Sequence, residues 1–264
     1  MICKDEEENL QQCLPTIVQY VDEFVLVDTG STDKTREVAA RFGGNIYQFD
    51  HRNHPECFFT DVESEGKEFG YDIPGTYSGE IAFADFGAAR QESFRHATGD
   101  YIMWVDADDV IEGGHHIRSI VADLATKPNA FGFLKYDYAR DDKERTFYSQ
   151  WRERIIGRGQ AKWLNPVHEV LMPSDPIQPI RYEQVLIVHR RKPDRKQTPN
   201  RNYKILLRLL KQDFDAKRAT DPRTFFYLGQ EARFIEPAKA VGFYEQYLKM
   251  SGWNEERAAA HCAL

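Results

Sequence analysis

Hydrophobic and polar positions along the first half of the chain follow two rhythms. Phe24-Val-Leu-Val27 and Tyr101-Ile-Met-Trp-Val105 are apolar runs of strand length, and Asn45–Phe49 reads as a further strand. Between them, Asp5–Val21 carries Leu10, Leu14, Ile17, Val18 and Val21 at helical spacing, with acids in the first turn where the helix dipole favours them. Lys34–Phe42 reads as a second helix closed by Gly43-Gly44, and Phe86–Ala97 as a third. Met1-Ile-Cys-Lys4 reads as the end of a strand whose beginning is missing. This strand–helix alternation predicts a parallel, doubly wound α/β sheet. His51–Ile81 breaks the rhythm with Pro, Gly and acids, and a stretch of that length reads as an insertion or lid. His115–Ala125 is helical again. From Phe131 to Val188 short strands dominate (Phe131–Tyr138, Arg154–Ile156, Val167–Met172, Val185–Val188), so the second half is expected to be mixed rather than parallel.

After Pro193 the period becomes helical throughout, over Asn202–Phe214, Thr224–Phe234 and Pro237–Met250. Phe226-Tyr-Leu-Gly-Gln-Glu231, the Ala238-Lys-Ala240 face and Phe243-Tyr244 resemble a tetratricopeptide repeat. One repeat of 34 residues beyond Leu228 falls on Cys262, where a second repeat would open. Such repeats bury their faces only against stacked neighbours, so the chain is read as a piece of a longer protein. The expected organisation is an α/β domain over 1–192, with 51–81 inserted, and a helical region over 193–264.

Charge changes the picture locally. The net charge is −7, yet Arg181–Arg218 holds twelve Lys/Arg against four Asp/Glu, a local +8 against −15 elsewhere. A basic stretch on an acidic body suits phosphate-bearing partners, or is simply a solvated helix face. With 41% hydrophobic residues the chain can bury a full core, and the 13% aromatic content leaves rings for planar or sugar ligands. Cys3, Cys13, Cys57 and Cys262 are scattered with no Cys-x-x-Cys pair, which argues against a disulfide framework or a zinc ribbon and fits a reducing compartment. His51-Arg-Asn-His54-Pro-Glu-Cys57 has loose metal-ligand spacing, but no second ligand pair follows to complete a zinc site. No run approaches a membrane span and no signal peptide is present, so a cytoplasmic location is expected.

The chemistry begins where Tyr101–Val105 ends, in Asp106-Ala-Asp108-Asp109. In open α/β sheets ligands lie beyond the carboxyl ends of strands. Residues i and i+2 leave a strand on one side, so Asp106 and Asp108 are expected to converge, and two hard oxygen donors suit Mg²⁺ or Mn²⁺. The plain alternative is a solvated Asp-rich turn. Asp28-Thr-Gly-Ser-Thr-Asp33 also ends a strand and opens a helix. Asp28 there would accept from a base N–H or a ribose hydroxyl, or the segment is a helix cap with Ser31 or Thr32 as N-cap. Arg90, in Asp85-Phe-Gly-Ala-Ala-Arg90, would pair with a phosphate, with Glu92 or with a loop acid.

Taken together, four segments resemble the family 2 glycosyltransferases of the GT-A fold: Met1-Ile-Cys-Lys-Asp-Glu-Glu-Glu-Asn-Leu10, Val27-Asp-Thr-Gly-Ser-Thr-Asp-Lys-Thr35, Asp85-Phe-Gly-Ala-Ala-Arg-Gln91 and Trp104-Val-Asp-Ala-Asp-Asp109. Val167-His-Glu-Val-Leu171, Ile187-Val-His-Arg190 and the Tyr227-Leu-Gly229 helix are similar to the branch with C-terminal tetratricopeptide repeats. The resemblance covers nearly the whole chain except His51–Ile81. It implies that Glu6 and Asp28 hold a nucleoside, most simply uridine, and that Arg90 approaches the base or the diphosphate. It further implies that Asp106 lies near ribose and metal, that Asp108 ligates Mn²⁺ or Mg²⁺, and that His189 completes the metal site. An inverting displacement needs a general base on the acceptor, and Glu169 is the candidate with His168 as rival. Strand alternation would turn those two to opposite faces. Trp151 and Trp163 would either stack on sugars or pack in the core.

The expected activity is transfer of a hexose from a nucleotide-diphospho-sugar, a UDP-sugar, to an acceptor on a protein, a cell-envelope glycan or modified DNA. Arg190–Arg218 would suit a phosphate-bearing acceptor. The helical repeats would serve a homodimer or a protein partner. A nucleotidyltransferase would need a basic, Gly-rich loop after the first strand, and Asp5-Glu-Glu-Glu8 is the opposite. A catalytically silent adaptor that binds nucleotide-sugar and acts through its repeats is the reading from another class.

Overall fold

Buried β-branched runs and amphipathic helices build the elements in chain order. The computed structural model describes residues 1–60, 81–140, 143–190 and 200–264. Most of the His51–Ile81 insertion and part of the basic stretch therefore lie outside the described residues. The chain divides into two units: Met1–Cys57 with Phe86–Asp194, and Phe58–Asp85 with Arg195–Leu264.

In the first unit, Ile2–Cys3 (β1), Val25–Asp28 (β2) and Asn45–Gln48 (β3) form a parallel three-stranded sheet in the order β1-β2-β3. The helices between them are Glu7–Cys13 (α1) and Thr35–Arg41 (α2). The helix expected over Asp5–Val21 stops at Cys13. Pro15 cannot donate to the helical ladder, and two 3₁₀ turns, Leu14–Thr16 and Val18–Tyr20, replace the remainder. Leu10, Leu14 and Ile17 still face the core. The Ser31 or Thr32 cap is not formed either. Asp33 Oδ1 takes the Thr35 amide (2.9 Å), because the chain turns back only at Lys34.

Two strands pair antiparallel within the second unit, Phe58–Thr60 (β4) with Ile81–Phe83 (β5), at the flanks of the insertion. In the first unit Phe86–His96 (α3) leads to Tyr101–Met103 (β6), Asp109–Glu112 (β7), Ile117–Leu124 (α4), Ala130–Arg140 (β8), Thr146–Gly157 (β9), Ala161–Leu164 (β10), Val170–Pro173 (β11) and Gln178–His189 (β12). Five of these strands make a mixed sheet, β6-β9-β8-β12-β7, in which only β8 and β12 are parallel. The doubly wound parallel pattern thus holds for the first three strands and gives way to antiparallel pairing afterwards.

One core layer gathers Leu10, Leu14, Leu26, Val38, Ile120, Leu134, Ile155 and Ile187. A second, with Phe94, Ile102, Trp104, Phe131, Ile156 and Trp163, lies under α3.

The second unit's helices are Arg201–Asp215 (α5), Pro222–Ile235 (α6), Pro237–Met250 (α7) and Asn254–Ala263 (α8). Helices α6 and α7 make the expected tetratricopeptide-like hairpin, burying Phe226, Leu228, Ala232, Phe243, Tyr244 and Tyr247. Gly229 permits it: a Cβ there would sit 2.7 Å from the Tyr244 ring. α8 is tied to the hairpin by a polar network. Glu256 accepts from Arg223 Nε (2.9 Å) and from the Tyr247 hydroxyl (3.1 Å). Removing an acceptor from two buried or half-buried donors costs about 1–3 kcal/mol. Glu256→Ala is therefore expected to melt the helical unit at a lower temperature, followed by circular dichroism.

Candidate functional site

The first two motifs interlock at the carboxyl ends of β1 and β2. The Asp5 amide donates to Ser31 Oγ (3.0 Å), Asp5 Oδ1 takes the Thr32 amide (2.7 Å), and the Glu6 amide donates to Thr35 Oγ1 (2.7 Å). Gly30, at φ +105°, makes the turn between Asp28 and these contacts. Asp28 is buried, accepts the Ser31 amide (3.1 Å), and lies 3.7 Å from Arg36 Nε. The Glu6 carboxylate is buried and accepts from Asn9 Nδ2 (2.6 Å).

The acidic motif does not continue a strand. β6 ends at Met103, and Asp106–Asp109 is a turn closed by Asp109 N–H to Asp106 C=O (3.1 Å). Strand alternation therefore no longer governs where its carboxylates point. Asp106 accepts from Arg90 Nη2 (2.8 Å) and lies 3.9 Å from Arg154 Nη1. Burial pushes its acid upward, but the guanidiniums of Arg90 and Arg154 outweigh it and hold Asp106 well below the usual carboxylate range. Asp108 comes together instead with Asp109 and His189, their ligand atoms all within 4.8 Å of one another.

Strand pairing makes that triad. His189 is the last residue of β12 and sits opposite Asp109, the first of β7, while the Arg190 amide binds Asp108 C=O (2.7 Å). His189 Nδ1 is 3.5 Å from Asp108 Oδ1 and 3.8 Å from Asp109 Oδ1. Burial disfavours the His189 cation, yet Asp109 and Asp108 outweigh it and raise its pKa above the ordinary histidine value. Asp108 is pushed upward by burial, with His189 opposing.

Two carboxylates and an imidazole are a donor set for Mn²⁺ or Mg²⁺. Asp109 Oδ1 and His189 Nδ1 are buried without a hydrogen-bond partner, as expected of atoms left for a cation. Among the described residues this is the cluster of three ligand-type side chains that could hold a metal. His51, His54 and Cys57 do not join one, and the His54 ring stacks on Phe49 at 3.9 Å.

Sequence reasoning missed Asp109 and Arg154. Arg154 is 1% exposed, 3.2 Å from Asp109 Oδ2, donates to Trp104 C=O (3.2 Å) and lies over the Trp104 and Tyr136 rings. Tyr138, half exposed, stacks on His189 with centroids 5.3 Å apart. His168 and Glu169 precede β11 rather than lying in it, and His168 has φ +52°, so their expected opposition by strand alternation does not apply. Glu169 Oε1 accepts from Arg90 Nε at 2.8 Å. Trp163 is buried in the core beside Phe94 and Trp104. Trp151 is half-buried beneath Arg181.

The described residues form an α/β fold with a cluster of acidic and imidazole side chains at its strand ends. More particularly, the chain belongs to glycosyl transferase family 2, whose sequence model matches residues 1–56 and 82–183. A TPR repeat-containing protein of Synechococcus elongatus is 26% identical over 175 residues, which are 65% of this chain and 34% of the relative. The chain thus spans about a third of the length of that curated relative. Among solved structures, glucosyl-3-phosphoglycerate synthase of Mycobacterium tuberculosis, in complex with Mn²⁺, uridine-diphosphate-glucose and phosphoglyceric acid, is similar at 20% identity. That match covers 52% of this chain and 41% of that chain, with a TM-score of 0.34. A mycobacterial protein matches at 15% identity over 84% of this chain and 74% of its own, with a TM-score of 0.45. No described helix is long and apolar enough to cross a membrane.

Proposed function

We propose that the chain is a metal-dependent, inverting glycosyltransferase that moves a hexose from a UDP-sugar to an acceptor nucleophile on a protein, a cell-envelope glycan or modified DNA. The observation that carries this reading is the convergence of Asp108, Asp109 and His189 beside the Asp106–Arg90–Glu169 chain. In it, Glu6 and Asp28 receive the nucleoside, Asp106 lies toward ribose, and Asp108 with His189 holds Mn²⁺ or Mg²⁺, joined by Asp109. When bound there, the cation would neutralise charge on the departing diphosphate. Glu169 takes the acceptor proton, with His168 as its rival. The domains are read as a transferase over 1–192 and a helical region over 193–264. The tetratricopeptide-like hairpin of α6 and α7 favours protein recognition beside catalysis.

Calorimetric titration with UDP, GDP and CDP, with and without Mn²⁺, tests the donor site. UDP is expected to bind best and only with Mn²⁺. Asp108→Ala is expected to weaken that binding at least about 10–100-fold, since even outer-shell partners of a metal are worth that much. Failure of the folded protein to bind any nucleotide would sink the transferase reading, and donor binding without turnover on any acceptor would favour the silent adaptor.

A further inference from the structure

Arg90 stands between the two halves of the proposed reaction. Two nitrogens of its guanidinium are in use: Nη2 donates to the donor-side acid, Asp106 Oδ1, and Nε to the candidate base, Glu169 Oε1, each at 2.8 Å. Its carbon lies 5.3 Å from the Trp104 ring centroid and 5.1 Å from that of Trp163. Those two rings meet edge to face at 86°, so they form a corner around the cation. The Arg90 side chain is 14% exposed.

We infer that Arg90 is a positioning residue that sets the separation and orientation of Asp106 and Glu169, rather than the ligand of the donor diphosphate. The inference deepens the glycosyltransferase reading and rests on it for the roles of those two acids. A diphosphate ligand needs open donors facing the substrate. Here Nε and Nη2 are committed to carboxylates, and the Trp104 and Trp163 rings flank the group, which leaves only the Nη1 side of the fork for a further acceptor. A planar fork whose two nitrogens hold two different carboxylates fixes both acids relative to one rigid plane, which a lysine ammonium cannot do.

The helix that carries Arg90 is itself locked to the segment that carries Glu169. Gly87 of α3 lies so close to Asn165 that a Cβ would stand 2.3 Å from its carbonyl oxygen. The Phe86 amide donates to Pro166 C=O (2.8 Å), and the Gln91 side chain accepts the Trp163 amide (2.9 Å). Asn165 and His168 both take positive φ, +69° and +52°, so the segment before Glu169 keeps a conformation that non-glycine residues adopt only when their surroundings enforce it. Helix, loop and guanidinium together hold the carboxylate of Glu169 beside the acid that faces the donor. Misplacing a reacting group by about 1 Å costs on the order of 10²-fold in rate.

The test pairs ligand-free coupling with ligand binding. In urea denaturation, Arg90→Met, Glu169→Leu and their double variant are expected to be non-additive by at least about tenfold in the unfolding equilibrium. Additivity would overturn the clamp. Arg90→Lys keeps the charge without the fork. It is expected to bind UDP with Mn²⁺ within about threefold of wild type, while kcat for UDP release from UDP-glucose falls about 100-fold at unchanged KM. A loss of UDP affinity beyond about tenfold in Arg90→Lys would make Arg90 the diphosphate ligand and overturn the inference. If Arg90→Lys does not fold, Gly87→Ala replaces it. That variant leaves Arg90 intact but displaces α3 from Asn165, and the same kcat-specific loss is expected, unchanged kcat counting against the clamp. Wild type failing to bind UDP would sink the donor reading instead, and the denaturation cycle would then decide for or against the clamp alone.

Discussion

Glu169→Gln is expected to slow sugar transfer by about 10²–10⁴-fold, the range that a positioned general base supplies, while UDP and Mn²⁺ bind as in wild type. Glutamine keeps the length of the side chain and an oxygen for Arg90 Nε, which Glu169 now meets at 2.8 Å, so the local geometry survives. In the proposed reaction, what disappears is the group that takes a proton from the acceptor. An inverting displacement forms the new glycosidic bond as the diphosphate leaves, and the acceptor's proton must go to the protein in that step. The measurement is UDP release from UDP-glucose, with and without acceptor. Glu169→Gln retaining more than a tenth of the wild-type rate, with His168→Ala losing it, would assign the base to His168.

The parts of the fold legible in the sequence are those whose burial follows a simple period. β2, α2 and β3 came from apolar runs and a Gly-Gly stop, and the tetratricopeptide-like hairpin from small and aromatic residues at helical spacing. Of β9 the sequence shows only Arg154–Ile156, because the first third, Thr146 to Ser149, is exposed and offers no alternating pattern. The helical period runs on past the end of α1 because Leu14 and Ile17 stay buried after Pro15 has broken the helix.

At the site, the spacing of Asp106 and Asp108 suggested a shared direction, but the turn after Met103 sends Asp106 to two arginines and Asp108 to His189. Asp109 gave no separate signal within Asp106–Asp109, since its burial depends on pairing with β12, far along the chain. Arg154, in Trp151-Arg-Glu-Arg154, looks like a solvated charge until the sheet closes over it.

Arg154→Met is expected to destabilise the protein by about 3–5 kcal/mol, the cost of leaving a buried charge without its partner. Asp109 is fully buried, and its Oδ2 lies 3.2 Å from Arg154 Nη1 while also taking the Asp106 amide (2.9 Å). Methionine fills much of the volume between the Trp104 and Tyr136 rings but supplies no charge, so Asp109 loses its guanidinium in a place water does not reach. Asp106 loses its second cation as well. Its carboxyl is depressed on folding, against burial, by Arg90 first and Arg154 next. A depressed carboxyl contributes stability that is fully present above its unfolded pKa, about 3.9, and is lost as pH falls through the folded value. The gap between wild type and Arg154→Met should therefore be full at pH 7 and narrow below about pH 4. Urea denaturation across that range reads both the size and the slope. Adding Asp109→Asn to Arg154→Met removes the stranded charge, so the double variant should be more stable at pH 7 than Arg154→Met alone. If the double variant is instead less stable by the sum of the two single losses, Arg154 holds the sheet by packing on Trp104 and Tyr136 and not as the counter-ion of the acidic turn.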